Sequence, residues 1–208
     1  MSTTTETPVV TGTWVIDPTH STVGFTVQYM GVAPFQGAFR EFDATLDEQG
    51  VRGIAQASSI DVDNDDLSGH LASPDFFDAA NHPTLSFESG ALRREGNSIA
   101  ADGVLEIKGN RAPVTLTGTI NDPVADPWGG RKLGLSLSGT VDKNAVGLTW
   151  NAPLPEGGSM LADDVEDAIA TASDHLVGAE TLLVSPMFPL SMGERMRIAP
   201  ALSVLARP

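Results

Sequence analysis

Residues 22–29, TVGFTVQY, decide the predicted fold because their side chains alternate between two types. One face of this stretch carries four apolar or aromatic side chains, those of Val23, Phe25, Val27 and Tyr29. The residues between them are small or polar and fall on the other face. A period of two residues is typical of a strand with one buried face. The stretch therefore predicts a half-buried β-strand.

The same alternation recurs along the chain. It predicts further strands in residues 39–46, 54–62, 85–91, 98–107, 114–120 and 133–141. Turn-rich segments separate them, so neighbouring strands are expected to form hairpins. Residues 163–177 fit either a helix or a closing strand, and the strand is favoured because it would complete a barrel. We expect seven or eight strands in an antiparallel sheet.

One helical interruption is predicted between Asp66 and Asp78. Asp66 is the expected N-cap, and Leu67 and Leu71 have the i,i+4 spacing of one helix face. Ser73 followed by proline is a second cap signal. Two short helical turns are therefore expected in place of one long helix.

Composition excludes several classes of function. The chain has 27 acidic and 12 basic side chains and a formal net charge of -15, which would repel nucleic acid and anionic membranes. It has no cysteine, so disulfides and thiolate zinc sites are excluded. No uncharged apolar run of 18 residues and no signal peptide is visible, which predicts a cytoplasmic protein without a membrane span.

The polar residues show no pattern of a metal or nucleophile site. The four histidines, His20, His70, His82 and His175, lack the close spacing that places two imidazoles on one ion. The acidic run at 61–66 begins like a calcium loop but lacks its glycine and final glutamate, which favours a solvated turn. Ser21 and His20 are neighbours and would point to opposite faces of a strand. Neither a metal nor a cofactor is predicted.

Four longer blocks have a specific order of residues. They are TWVIDPTHSTVGFTVQYMGVAPFQGAF at 13–39, DNDDLSGHLASPDFFDAANHPTLSFES at 63–89, GVLEIKGNRAPVTL at 103–116 and VDKNAVGLTWNAPLPEGG at 141–158. Over residues 13–177 the chain resembles the YceI-like family of polyisoprenoid-binding, lipocalin-like proteins. The resemblance implies an all-β fold, an extended eight-stranded antiparallel lipocalin-like β-barrel with a short helical insert. Residues 1–12 are then a flexible N-terminal lead, and residues 178–208 a C-terminal extension.

The resemblance also implies that the barrel binds a long apolar small molecule as a carrier or sequestering protein. An isoprenoid, fatty acyl or polyketide-like chain would suit such a cavity. The residues expected to contact the ligand are His20, Phe25, Val27, Tyr29, His70, Leu71, Phe76, Leu85, Phe87, Leu116 and Leu135. Small residues that face inward would leave room for it, namely Gly24, Ala44, Gly103, Gly118 and Gly139.

The chain departs from the family pattern at two pairs of positions. Leu67 and Ser68 stand where the family usually has Arg-Asp, and Ala145 and Val146 stand where it usually has Asp-Phe. The expected pocket has therefore lost charge.

Two other functions stay open at this point. The first is a cofactor-free cyclase or isomerase that folds a polyene or polyketide in the same cavity. Its hydrogen-bonding or acid-base groups would be His20, Tyr29, His70 and His175. The second is a barrel filled by its own side chains, with the tail mediating a homodimer.

Overall fold

The computed structural model describes residues 10–127, 129–171 and 180–183, and most of these residues lie in strands. The strands in chain order are β1 (Trp14–Ile16), β2 (Thr22–Tyr29), β3 (Ala33–Phe39), β4 (Phe42–Asp47), β5 (Gly50–Gln56), β6 (Ile60–Asp61), β7 (Thr84–Ser89), β8 (Arg93–Glu95), β9 (Ser98–Ile107), β10 (Asn110–Ile120), β11 (Val124–Ala125), β12 (Arg131–Asp142), β13 (Leu161–Thr171) and β14 (Glu180–Leu183). One helix, α1, spans Asp65–Ala72, and a 3₁₀ turn spans Ala57–Ser59. The predicted all-β class with a short helical insert is confirmed.

The strands form one curled sheet. The order of hydrogen-bonded strands, taken from one edge, is β6, β3, β2, β13, β12, β10, β9, β7, β5, β4 and β1. Strand β14 lies between β1 and β12 and pairs with both in parallel, so the sheet curls back on itself. The other strand pairs within the described residues are antiparallel, including the hairpin of β9 and β10. The strand number exceeds the predicted eight because the sheet includes several strands of two to four residues.

Strand β13 resolves the ambiguity of residues 163–177 up to Thr171. It pairs with β12 on one side and with β2 on the other, for example Val165 with both Val141 and Val27. Pairing on both edges satisfies the backbone groups of this segment, which favours the strand over the helix. Residues 172–177, and with them His175, lie outside the described residues.

The helical insert differs from the prediction at both ends. Helix α1 begins at Asp65 because Asn64 is its N-cap, with the Asn64 Oδ1 accepting a hydrogen bond from the Leu67 N–H at 2.9 Å. The predicted cap, Asp66, lies inside the first turn. After Ser73 the chain makes hydrogen-bonded turns and no second helix. Among the described residues, no helix is long and apolar enough to cross a bilayer.

The apolar core divides into two clusters. We name the first the packed cluster; it comprises Val10, Trp14, Leu46, Val51, Phe87, Ile99, Ala101, Val114, Leu116, Ile120, Leu133, Leu135 and Leu137. We name the second the cavity cluster; it comprises Phe25, Phe39, Ala55, Ala57, Ile60, Leu71, Phe76, Phe77, Leu85, Ile107, Ala112, Val141 and Val146. Val10, within the predicted N-terminal lead, is thus buried in the packed cluster.

Candidate ligand-binding cavity

A cavity of about 400 Å³ lies within the cavity cluster. Its walls come from β2 and β3, from α1 and the turn after it, and from the end of β12 with the loop that leads to β13. Most of the lining side chains are aromatic or aliphatic. The volume lies within the range of about 300–1,000 Å³ that is usual for small-molecule sites.

Phenylalanine rings build one wall. The Phe25 ring centroid lies 6.2 Å from that of Phe39 and 6.3 Å from that of Phe77, and Phe39 meets Phe77 edge-on at 5.5 Å. Phe25 is paired with Gly37 across β2 and β3. A Cβ atom on Gly37 would lie 2.5 Å from the Phe25 Cζ, so the absence of a side chain there allows the ring to keep its position.

Helix α1 forms a second wall through Leu67, His70 and Leu71, which share one face of the helix. The His70 ring stands edge-on to Phe76 at 5.2 Å and to Trp150 at 5.6 Å. Its side chain is 40% exposed, and its Nε2 lies 3.4 Å from a carboxylate oxygen of Asp75. His70 therefore belongs to the rim of the cavity, with one edge toward solvent.

The tip of the β2–β3 hairpin forms the mouth. Tyr29 lines the cavity and is 40% exposed, while Met30 and Val32 beside it are 42% and 84% exposed. The Met30 N–H donates a hydrogen bond to the Met160 carbonyl at 2.7 Å, which joins the tip to the loop before β13. The mouth is thus apolar and open to solvent on this side.

Lys143 is a basic residue in the wall that sequence reasoning missed. It follows the last residue of β12, where Asp142 Oδ1 accepts a hydrogen bond from the Asn144 N–H at 2.8 Å and starts a turn. The Lys143 side chain is only 4% exposed. Its Nζ lies 3.3 Å from the Leu148 carbonyl oxygen, 3.4 Å from Asn144 Oδ1 and 3.4 Å from Asp163 Oδ1.

The wall of the cavity is mostly apolar but includes a lysine. Leu67 and Val146, two of the positions that depart from the family pattern, both line the cavity with apolar side chains. Lys143 lines it as well. The signal that could have identified Lys143 is its place three residues before Val146, inside the block that resembles the family's late strand.

A smaller cavity of about 70 Å³ lies next to the larger one. It is bounded partly by small residues on neighbouring strands, Gly24, Ala44 and Gly53. Three side chains, those of Phe39, Leu85 and Ile107, line both cavities. These three side chains therefore separate the two spaces.

The structure brings most of the expected contact residues together. The larger cavity is lined by Phe25, Val27, Tyr29, His70, Leu71, Phe76 and Leu85. Phe87 lines the smaller cavity. Leu116 and Leu135 lie in the packed cluster and line neither cavity.

His20 lies outside both cavities. Its Nδ1 lies 2.7 Å from Asp17 Oδ2, and the second Asp17 oxygen accepts a hydrogen bond from the Thr19 N–H at 2.7 Å. Asp17 is 5% exposed, whereas the His20 side chain is 49% exposed. The pair fixes the turn between β1 and β2. Within the described residues, no group of three histidine or carboxylate side chains is placed to hold a metal ion.

The expectation that three of the glycines leave room for a ligand is wrong. A Cβ atom on Gly103 would lie 2.6 Å from the Phe87 ring, and one on Gly139 would lie 2.7 Å from a Leu116 methyl. At Gly118 the same position is filled by the Ser136 backbone. These glycines allow close packing of neighbouring groups. The larger cavity lies among the residues of the cavity cluster instead.

Fold and cavity together define a curled antiparallel β-sheet protein with an internal apolar pocket. A model of the YceI-like domain matches residues 14–171, and the chain therefore belongs to the YceI-like family. A UPF0312 protein of Photorhabdus laumondii is 31% identical over 129 residues, which cover 59% of this chain and 67% of the relative. The protein YceI of an Escherichia coli strain is 30% identical over 129 residues, 59% of this chain and 68% of the relative.

Solved structures show the same fold. BcnA of Burkholderia cenocepacia superposes with a TM-score of 0.57 at 22% identity, over 74% of this chain and 96% of that protein. A polyisoprenoid binding domain from Saccharophagus degradans superposes with a TM-score of 0.51 at 9% identity, over 77% of this chain and 97% of that domain.

Proposed function

We propose that the protein binds one long apolar molecule in the larger cavity, as a carrier or sequestering protein. The observation that carries this proposal is a space of about 400 Å³ walled by phenylalanine and aliphatic side chains. The membership in the YceI-like family supports it, as does the likeness to a polyisoprenoid binding domain. An isoprenoid, fatty acyl or polyketide-like chain has the shape and polarity for this space.

Chain length should govern the affinity. Each methylene that leaves water contributes about 0.8 kcal/mol, which is about a fourfold gain in affinity. Association itself costs at least about 4 kcal/mol in lost freedom of motion, so short chains bind weakly. Affinity should therefore rise with each added methylene until the cavity is full.

Trp150 provides an intrinsic signal for the test because its indole lines the cavity. We expect farnesol to change the tryptophan fluorescence in a saturable way at one molecule per chain. Trp150→Phe should abolish the optical change while binding measured by equilibrium dialysis persists. If neither farnesol nor a straight-chain alcohol such as dodecanol is retained in dialysis, the proposal is wrong.

The arrangement gives no support to a cyclase or isomerase. Of its four expected polar groups, Tyr29 and His70 line the cavity, His20 lies outside it, and His175 lies outside the described residues. His70 is at the rim beside Asp75. No second function is therefore proposed.

Several expectations from the sequence stay predictions. They are the domain bounds of 1–12, 13–177 and 178–208, the cytoplasmic location, the lack of affinity for nucleic acid and the homodimer. Cell fractionation and sedimentation of the full chain would test the location and the oligomeric state.

A further inference from the structure

Lys143 is exceptional among the residues around the cavity. Within the part of the chain that the structure describes, it is the one lining residue with a lysine, arginine or carboxylate side chain. Burial of a charged group costs free energy unless partners replace its water. A cation that is 4% exposed in an otherwise apolar wall therefore needs partners of opposite charge or polarity.

The hydrogen-bond partners of Lys143 lie farther from its Nζ than is usual. Its three Nζ contacts measure 3.3–3.4 Å, whereas N–H···O bonds in proteins usually measure about 2.7–3.2 Å. Two partners are neutral oxygens, of Leu148 and Asn144. The single charged partner, Asp163, has a side chain that is 68% exposed and shares its interactions with water. A further oxygen could improve the solvation of this ammonium group.

Strand register places Lys143 toward the mouth. Val141 pairs with Val165, which also pairs with Val27, and Lys143 lies two residues farther along the chain. That direction leads to the end where Tyr29 pairs with Leu161. Phe39 and Leu85, which border the smaller cavity, mark the opposite, inner direction. A ligand with its polar end at Lys143 would thus have its apolar chain on the inner side.

The charge balance limits the polar end to a single negative charge. One lysine faces the cavity, and the ionised Asp163 already stands beside it. Hydrogen bonds from Asn144 and Lys143 hold the pKa of Asp163 below its usual value, so its negative charge persists at neutral pH. With a net charge of -15, the whole protein also repels polyanions.

We propose that Lys143 binds the head group of the ligand, and that the preferred ligands are long-chain or isoprenoid monocarboxylates. This inference rests on the proposed function, since it assigns the polar end of the same ligand. The ligand carboxylate would accept a charge-assisted hydrogen bond from Nζ, and such bonds are stronger than those between neutral groups. The chain would occupy the apolar space between Phe25 and Leu85.

Three ligands with the same chain test the inference at neutral pH and low salt. Farnesoic acid is ionised at neutral pH, because its pKa of about 4 lies well below that. Calorimetry compares its binding with that of farnesol and farnesyl diphosphate. We expect the acid to bind the wild-type protein about tenfold to a hundredfold more tightly than the alcohol. We also expect it to bind more tightly than the diphosphate.

Substitutions at Lys143 and Asp163 should have opposite effects. Lys143→Met keeps the length of the side chain and should abolish the preference for the acid over the alcohol. Lys143→Arg should keep part of that preference. Asp163→Asn, at an exposed position, should raise the affinity for the acid without raising that for the alcohol. Arg111→Met removes one surface charge on β10, where the Arg111 side chain is 64% exposed, and should leave the preference unchanged.

The outcomes separate this inference from the proposed function. If none of the three ligands binds, the proposed function fails. If the alcohol binds as tightly as the acid, or the diphosphate binds best, the cavity is a binding site but the role of Lys143 is wrong. If Lys143→Met fails to fold, Asp163→Asn still tests the inference. A purely structural role of Lys143 would leave the ratio of acid affinity to alcohol affinity unchanged in Asp163→Asn.

Discussion

At the residue scale, the buried carboxylate of Asp17 stabilises the turn that leads into β2. It accepts hydrogen bonds from the Thr19 backbone and from His20, and it is 5% exposed. Hydrogen bonds that involve a charged group contribute about 1.5–3 kcal/mol each. This pair is a structural element of the turn and contacts neither cavity.

Asp17→Ala should therefore lower the free energy of unfolding by about 1.5–3 kcal/mol, measured by urea denaturation. His20→Ala should cost about 1 kcal/mol or less, because the imidazole is half exposed. Farnesol affinity should stay within about twofold of wild type in both variants, since neither side chain lines the cavity. Loss of farnesol binding in a folded His20→Ala variant would show that His20 belongs to the binding site.

Single residues were predictable from the sequence where periodicity decides their burial. Alternation along 22–29 placed Phe25 and Val27 on the buried face, and both line the cavity. It could not distinguish them from Leu116, which is equally apolar on an equally regular strand but lies in the packed cluster. Nor could it identify Lys143, since a lysine after a strand is ordinarily exposed. Its burial depends on the fold of the following loop.

At the scale of the strand, the contact between β2 and β3 keeps the aromatic wall in place. Gly37→Ala would bring a methyl group within 2.5 Å of the Phe25 ring and 2.8 Å of Val62. Overpacking of this kind costs about 1–3 kcal/mol. We expect this loss in urea denaturation, with weaker farnesol binding because the Phe25 ring shifts.

Gly53→Ala on β5 is the matched control. Its new Cβ atom would meet no atom closer than the Ala44 Cβ at 3.8 Å. Stability should change by no more than about 0.5 kcal/mol. Equal losses in the two variants would show that glycine in a strand, rather than the contact with Phe25, determines the effect.

Helix α1 depends on its N-cap. Asn64→Ala removes the acceptor for the Leu67 N–H and should cost about 0.5–2 kcal/mol, measured by thermal or urea unfolding. Asp66→Ala, at the cap position that the sequence predicted, should cost less because Asp66 is exposed inside the first turn. A larger loss in Asp66→Ala than in Asn64→Ala would contradict the assigned cap.

Most of the longer strands were predictable, but β1 and nearly all of β3 lie outside the predicted strands, and the ends of the elements were less predictable. Hairpin strands such as β9 and β10 follow from alternation and turn residues. The first residue of the helix could not be predicted, because Asn64, Asp65 and Asp66 are all good capping residues and only the backbone geometry selects one. The predicted strand at 54–62 is interrupted by the 3₁₀ turn at Ala57–Ser59, since the chain there passes from β5 to β6.

At the scale of the whole molecule, the two clusters divide stability from binding. Leu116 in the packed cluster is 2% exposed, and Leu116→Ala should lower the unfolding free energy by about 2–5 kcal/mol with farnesol affinity unchanged. Leu85 borders both cavities, so Leu85→Ala removes fewer contacts and should cost nearer about 2 kcal/mol. Urea denaturation provides both values.

Leu85→Ala should also join the two cavities. The enlarged space would shift the preferred ligand toward longer chains, which a series of straight-chain alcohols in equilibrium dialysis would detect. The Leu116→Ala protein should keep the wild-type order of preference. If both variants keep that order, Leu85 does not separate the spaces in solution.

The all-β fold of the molecule was predictable because strand period, turns and motif blocks agree. The position of the open space was not, because apolar strands look alike whether they enclose a cavity or pack against each other. The glycines at 103, 118 and 139 illustrate this, since a neighbouring group occupies the space that a Cβ atom would need at each of them. Only the three-dimensional packing distinguishes the two clusters.

The most direct test compares adjacent positions on β2. Val27 is 6% exposed and lines the larger cavity, whereas Gln28 is exposed on the opposite face. Native mass spectrometry and equilibrium dialysis should show one farnesol per chain in the wild-type protein and in Gln28→Trp. Val27→Trp, which places an indole in the cavity, should weaken farnesol binding about tenfold or more. Unchanged farnesol affinity in a folded Val27→Trp protein would contradict the assignment of this cavity as the binding site.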